Sequence, residues 1–349
     1  MWGSMRDVNP FARRRCLHPR VLASLGAAVG VVVLLGVLPR VVGTSWAPVA
    51  AMLGDLPVDG LLLLTALWFA GLLSYSRVLT SSLPGLSTRR ALLLNLAGSA
   101  VANVAPLGGA AGVGLNFAMV RSWRFTRASF VTFTAVSNLW DWLGKLVVAG
   151  AVLGWVLIAD TLPDGPLFTA VASALTVLVG VLAVVTVALT SPPAARATGA
   201  LLDRAVWFRR TSFGTALPEL RASTVAVARE RWRPLTGGVA GYLLLQAVLL
   251  GACLHLLGSE LGPAAVLAGF AVERLLSLVP LTPGGVGLAD AACATMLVAL
   301  GGDPVVVAAA VLLYRGFVYL LEIPVGGLGI LGWLLARSRT ATAAPAAAA

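Results

Sequence analysis

Seven ionisable side chains stand inside otherwise apolar stretches: Asp141, Lys145, Glu273, Arg274, Asp290, Arg315 and Glu322. A charge at membrane depth is costly, so each is a candidate for substrate contact, proton passage or internal pairing. Four acids against three bases point to pairing rather than to a bare channel charge. Arg315 carries the most chemistry, because a planar guanidinium can grip a phosphate with two parallel N–H bonds. Glu322 follows seven residues later with Tyr319 between, which predicts a shared helix face, and the alternative role for both is an internal Arg–Glu pair. Asn138, Asp141 and Lys145, at i, i+3 and i+7, also share a face. Asp141 and Lys145 either neutralise each other or line a path for a proton or head group. Glu273 and Arg274 are adjacent and cannot both point the same way on a helix, so one needs a partner elsewhere. Glu273 is expected to meet Arg315 or to carry a coupling proton.

Two Gly/Pro-rich breaks, over residues 104–115 and 279–288, each end in Gly-Val-Gly-Leu and interrupt apolar sequence. Proline lacks the N–H that a helix needs, and glycine is conformationally loose. Backbone broken at membrane depth survives only inside protein or against a wet cavity, which is how transporters build binding sites. Gly108 and Gly109 in the first break, and Gly284, Gly285 and Gly287 in the second, leave N–H groups at half-helix starts that can receive an anion. Thr282 either caps the following arm or touches the ligand. Asp290 either steadies that arm's start, where the helix dipole favours a carboxylate, or contacts the ligand.

Hydrophobic residues make up 59% of the chain and charged residues 11%, and mean hydropathy is +0.93, which excludes a soluble globule. The net charge of +11 would suggest nucleic acid in a soluble protein. Here the arginines cluster in short loops beside apolar runs, which favours anionic lipid and gives no nucleic-acid partner. The three cysteines and two histidines show no metal or disulfide spacing, and no cofactor is expected.

Runs of spanning length cover 21–42, 58–76, 128–159, 167–190, 235–257 and 304–335. Between them, 91–119 and 263–300 form pairs of shorter arms around the breaks, each pair expected as a re-entrant helical hairpin. With the N-terminus inside, Arg77, Arg89, Arg90, Arg121, Arg124, Arg127, Arg337 and Arg339 all fall in cytoplasmic loops. The expected fold is therefore an all-α polytopic membrane protein of two inverted repeats, about 58–159 and 235–335, each carrying a Gly/Pro-broken hairpin between spans. A basic cytoplasmic N-terminus over 1–20 precedes the membrane domain of 21–335, a basic cytoplasmic loop over 191–233 joins the repeats, and 336–349 is expected as a disordered cytoplasmic tail. The basic loop, interleaved with Trp207, Phe208, Phe213 and Trp232, sets topology or lies on the membrane surface as an amphipathic helix.

At Pro280-Leu281-Thr282-Pro283-Gly284-Gly285-Val286-Gly287-Leu288-Ala289-Asp290, followed by Tyr314-Arg315-Gly316, the chain resembles the flippase-like membrane region of lysylphosphatidylglycerol synthases and their stand-alone relatives. Asn103-Val104-Ala105-Pro106-Leu107-Gly108-Gly109 matches the same pattern, and the resemblance covers roughly 61–335. Asp290 stands where glutamate is more usual in that family. The resemblance implies a bacterial inner-membrane lipid flippase without the aminoacyl-transfer domain, moving an anionic or phosphate-bearing lipid, with or without an attached amino acid. The alternative is a non-catalytic membrane subunit presenting a lipid-linked substrate to a separate synthase or glycosyltransferase. The chain shows no nucleotide-binding motif or soluble catalytic domain, so it is expected not to be an enzyme.

Overall fold

The computed structural model describes residues 38, 40–41, 43–105, 108–159, 165–191, 193, 213–278 and 287–342, and among these every regular element is helical. Among the described residues four helices are long and apolar enough to cross a membrane: Val58–Ser82, Arg127–Ile158, Glu219–Leu256 and Pro304–Ser338. Most of the expected first span (21–42), residues 279–286 of the second break and residues 192 and 194–212 of the basic loop lie outside the described residues.

A short helix, α1 (Trp46–Gly54), which the sequence reading did not anticipate, precedes α2 (Val58–Ser82). Hairpin one follows as α3 (Thr88–Val104) and α4 (Gly108–Ser122). Helix α3 starts at Ser87, whose hydroxyl accepts from the Arg90 N–H at 3.4 Å, and it stops at Ala105 (φ −85°, ψ 146°) because Pro106 pushes its predecessor out of helical geometry. The arms can approach closely because a Cβ on Gly108 would lie 1.8 Å from the Ala102 carbonyl oxygen, so only glycine fits there. Helices α5 (Arg127–Ile158), α6 (Pro166–Thr190) and α7 (Phe213–Leu256) come next. Helix α7 begins well before the expected span, so residues 213–233 of the basic segment are helical, with a kink at Arg231 (φ −124°, ψ 20°) where the basic segment meets the apolar one.

Hairpin two is α8 (Pro263–Leu276) and α9 (Leu288–Ala299). The hairpin arms hold 17, 15, 14 and 12 residues; at about 1.5 Å per residue each falls short of the roughly 30 Å hydrocarbon core. The last long rod is α10 (Pro304–Arg315), a π-helical turn (Gly316–Leu320) and α11 (Glu322–Thr342). Helix α11 continues past the expected end at Leu335 into the segment read as disordered tail. Alanine and arginine there are good helix formers, and the Arg337 guanidinium lies 5.7 Å from the Trp333 ring centre one turn back.

Packing follows a reciprocal scheme. Helices α2 and α7 pair with each other, α3 lies on α11, and α8 lies on α5, so the first arm of each hairpin rests on a long helix distant from it in sequence. Small residues make these contacts possible in place of a hydrophobic drive that lipid cannot supply. The Ser74 hydroxyl donates to the Gly238 carbonyl at 3.1 Å, and a Cβ on Gly326 would sit 2.1 Å from the Leu96 carbonyl oxygen. At one end of the bundle the Trp333 indole donates to the Ser122 hydroxyl at 3.1 Å, and Arg90 stacks on Trp123 at 5.1 Å, gathering basic and aromatic residues at one interface.

Candidate functional site

Arg315 is the last residue of α10, a helix started by Asp303, whose carboxylate accepts from the N–H groups of Val305 at 2.9 Å and Val306 at 3.0 Å. Beyond Arg315 the Leu321 N–H reaches back five residues to the Gly316 carbonyl at 2.8 Å, the mark of a π turn. The buried Arg315 guanidinium bonds Asp290 Oδ1 through Nε at 2.7 Å and Glu273 Oε1 through Nη2 at 3.2 Å. Arg274 grips the same Glu273 carboxylate with Nε and Nη2, donates to the Tyr314 hydroxyl at 3.1 Å and lies over the Phe270 ring at 5.1 Å. The Tyr314 hydroxyl in turn donates to Gln246 Oε1 at 2.7 Å. Two guanidiniums and two carboxylates therefore meet where α8, α9 and α10 converge, all buried and with no net formal charge.

Two sequence expectations change here. Glu273 and Arg274 do pair directly despite being neighbours, because both side chains are long enough to bend to a common point, and Glu273 still reaches Arg315 as expected. The carboxylates that bind Arg315 are Asp290 and Glu273 rather than Glu322. The π turn inserts a residue, which at roughly 100° per helical residue carries Glu322 away from the face of Arg315. Buried Glu322 lies beside the Ser99 hydroxyl and the Trp68 indole.

The glycine turn before α9 does receive an anion through its backbone. Gly287, held at φ 94° where a side chain would be strained, donates its N–H to Asp290 Oδ2 at 2.9 Å. The anion is the protein's own, so Asp290 steadies the helix start and also binds Arg315. Thr282, Gly284 and Gly285 lie outside the described residues.

A family model described as the lysylphosphatidylglycerol synthase TM region matches residues 21–326. The chain belongs to that family. The match runs through both breaks, the charged cluster and Glu322, and it ties this lysylphosphatidylglycerol synthase-type membrane region to a multi-pass, lipid-related role. The chain matches no curated protein.

Elsewhere in this lysylphosphatidylglycerol synthase-type region, Lys145 Nζ lies 2.7 Å from Asp141 Oδ2, so those two neutralise each other on α5, with side chains 17% and 15% exposed. Asn138 donates to the Thr134 carbonyl at 2.8 Å on the same helix and borders a cavity that also touches Gly109. Gly108 serves the close packing of hairpin one. Gln246 was not anticipated from the sequence, and Asn103 figured there only within the motif of the first break. The signal available was a neutral amide in an apolar span, which must find a partner there.

Proposed function

We propose that the chain is a lipid flippase of the bacterial inner membrane, with both termini cytoplasmic, moving a phosphate-bearing lipid, aminoacylated or not, between leaflets. The observation that carries the reading is the buried Arg274–Glu273–Arg315–Asp290 cluster beside a Gly/Pro break and a π turn. Charged residues at that depth cost heavily unless they pair or act. A lipid phosphate can displace the Asp290 carboxylate from Arg315, exchanging one charge-assisted fork for another, so the cluster stays neutral when empty and becomes a phosphate clamp when loaded. The packing of each hairpin's first arm on a long helix distant from it in sequence supports inverted repeats, about 58–159 and 235–335, that rock against each other. No catalytic chemistry is assigned to the chain.

The test is flipping of a head-group-labelled phospholipid in proteoliposomes by the protein and by Arg315→Lys, which keeps the charge but loses the fork. A rate at least roughly tenfold lower in the variant is expected, the worth of about one charged hydrogen bond. An unchanged rate removes Arg315 from the mechanism. A second reading rests on the cluster being charge-balanced: a membrane subunit that holds a lipid-linked substrate for a separate enzyme. No flipping by the protein alone, with co-purification of a lipid-modifying enzyme, selects it.

A further inference from the structure

Hairpin one borders, with α2 and α5, an open cavity of about 220 Å³ that none of the charged-cluster residues lines. Among the described residues no Asp, Glu, Lys or Arg borders it, although its wall carries several amides and hydroxyls. Part of their hydrogen-bonding capacity is used within the helices. Thr134 Oγ1 donates to the Phe130 carbonyl at 2.9 Å, Ser137 Oγ to the Phe133 carbonyl at 2.8 Å, and Asn138 Nδ2 to the Thr134 carbonyl at 2.8 Å. These bonds leave the hydroxyl lone pairs of Thr134 and Ser137 and a second N–H on Asn138, and the amides of Asn95 and Asn116 add N–H groups and carbonyl oxygens, so the wall offers both donors and acceptors to a ligand. Across the cavity, Asn116 Oδ1 is buried without a hydrogen-bond partner, a state that folded proteins seldom leave unmatched.

The occupant is therefore one that both donates and accepts. A phosphate would bring a negative charge with no lysine or arginine among the lining residues to meet it. An ammonium would lose its water with no carboxylate on the wall to replace it, and the nearby Asp141 is already taken by Lys145 at 2.7 Å. Hydroxyl groups both donate and accept, with no charge to desolvate. The rings of Tyr75, Phe130 and Phe133 border the same space, and their negative faces attract polarised C–H groups such as those on the flat side of a sugar. The volume of about 220 Å³ holds roughly seven waters at about 30 Å³ each, room for one ring rather than an oligosaccharide.

We infer that this cavity binds a single uncharged sugar ring. The ring arrives as a lipid head group or as a free saccharide, and the lipid source rests on the flippase reading above. The experiment incorporates the full chain in nanodiscs with equal amounts of monoglucosyl diacylglycerol, phosphatidic acid and lysylphosphatidylglycerol, and measures the lipids retained after detergent extraction by mass spectrometry. Added methyl glucoside serves as a soluble competitor. The expected result is enrichment of the glucosyl lipid over phosphatidic acid by roughly tenfold, the worth of about one hydrogen bond, lost in Asn116→Leu and in the near-isosteric Thr134→Val. Thermal midpoints of both variants report whether the fold is kept. Competition by methyl glucoside assigns binding to the ring alone, and enrichment without competition assigns it to the lipid; both support the site. Equal retention of the lipids, preference for the lysyl lipid, or a glucosyl preference that survives both variants overturns it. Phospholipid flipping without sugar selectivity removes the sugar site and leaves the flippase reading standing. Sugar selectivity without flipping of any lipid does the reverse.

Discussion

Asn103 and Tyr319 exchange hydrogen bonds across the molecule: Asn103 Nδ2 donates to the Tyr319 carbonyl at 3.2 Å, and the Tyr319 hydroxyl donates to the Asn103 carbonyl at 2.6 Å. Both residues are buried, one at the end of α3 just before the first break and the other in the π turn. The π turn leaves carbonyls out of helical register, and Asn103 satisfies one of them, so the bond pair ties the two irregular segments together. Tyr319→Phe keeps the ring packed and leaves the Asn103 carbonyl unmatched, at an expected cost of about 1–3 kcal/mol. Thermal unfolding in mild detergent should show a lower midpoint, and an unshifted midpoint would mean that the pair holds nothing together.

Arg315 offers a way to separate stability from transport. Removing its side chain strands Asp290 and leaves Glu273 to Arg274 alone, which in a buried network costs about 3–5 kcal/mol. A charge-balanced pair of changes, Arg315→Met with Asp290→Leu, removes both charges and should recover most of that loss, because buried ion pairs are often no better than packed apolar side chains. The expected outcome is Arg315→Ala unstable, the double variant near the parent in unfolding midpoint, and both inactive in lipid flipping. A stable and fully active double variant would reduce the cluster to a packing device.

The legible features of the sequence were those with a local cause. Apolar runs of spanning length marked α2, α5, α6 and the apolar part of α7, and Pro106 marked the end of α3, since both signals act within a few residues of the structure they produce. The buried charges were found for the same reason, because any ionisable residue in such a run is conspicuous. Their partners were not. Arg315 meets Asp290, 25 residues away, across the turn between α9 and α10, a pairing that depends on how the helices converge. Five residues of unremarkable sequence, Gly316–Leu320, adopt π geometry and so undo the assumption that Arg315 and Glu322 share a face. The polar cavity was hidden differently. Thr134, Ser137 and Asn138 are common helix residues, and only their back-bonding and the opposite wall reveal what they leave exposed.

Adjacent glycines in α11 give a matched test of helix packing. A Cβ on Gly326 would lie 2.1 Å from the Leu96 carbonyl oxygen and 2.6 Å from Ala100 Cβ, whereas a Cβ on Gly327 would meet nothing within 4 Å. Gly326→Ala must therefore push α11 away from α3, at an expected cost of about 1–3 kcal/mol for an overpacked contact. Gly327→Ala should be neutral or slightly stabilising, by up to about 1 kcal/mol, because alanine is the better helix former. Unfolding midpoints of the two variants check this, and equal midpoints would show that the close approach of α3 and α11 is not required.

The Asp141–Lys145 pair spans one turn of α5, with Nζ 2.7 Å from Oδ2 and both side chains only partly shielded. If the two act mainly on each other, removing either leaves its partner as an uncompensated charge in an apolar span, while removing both leaves nothing to compensate. Asp141→Ala and Lys145→Ala should each lower the unfolding midpoint, and the double variant should be closer to the parent than the sum of the singles, with an interaction energy of about 0.5–3 kcal/mol. Strict additivity would show that each side chain is held by other groups. The same double variant separates neutralisation from a role in the lipid path. Parent-like flipping places both residues outside the path, whereas a loss of flipping in a protein whose midpoint is restored means that a substrate uses the charges that the empty protein keeps paired.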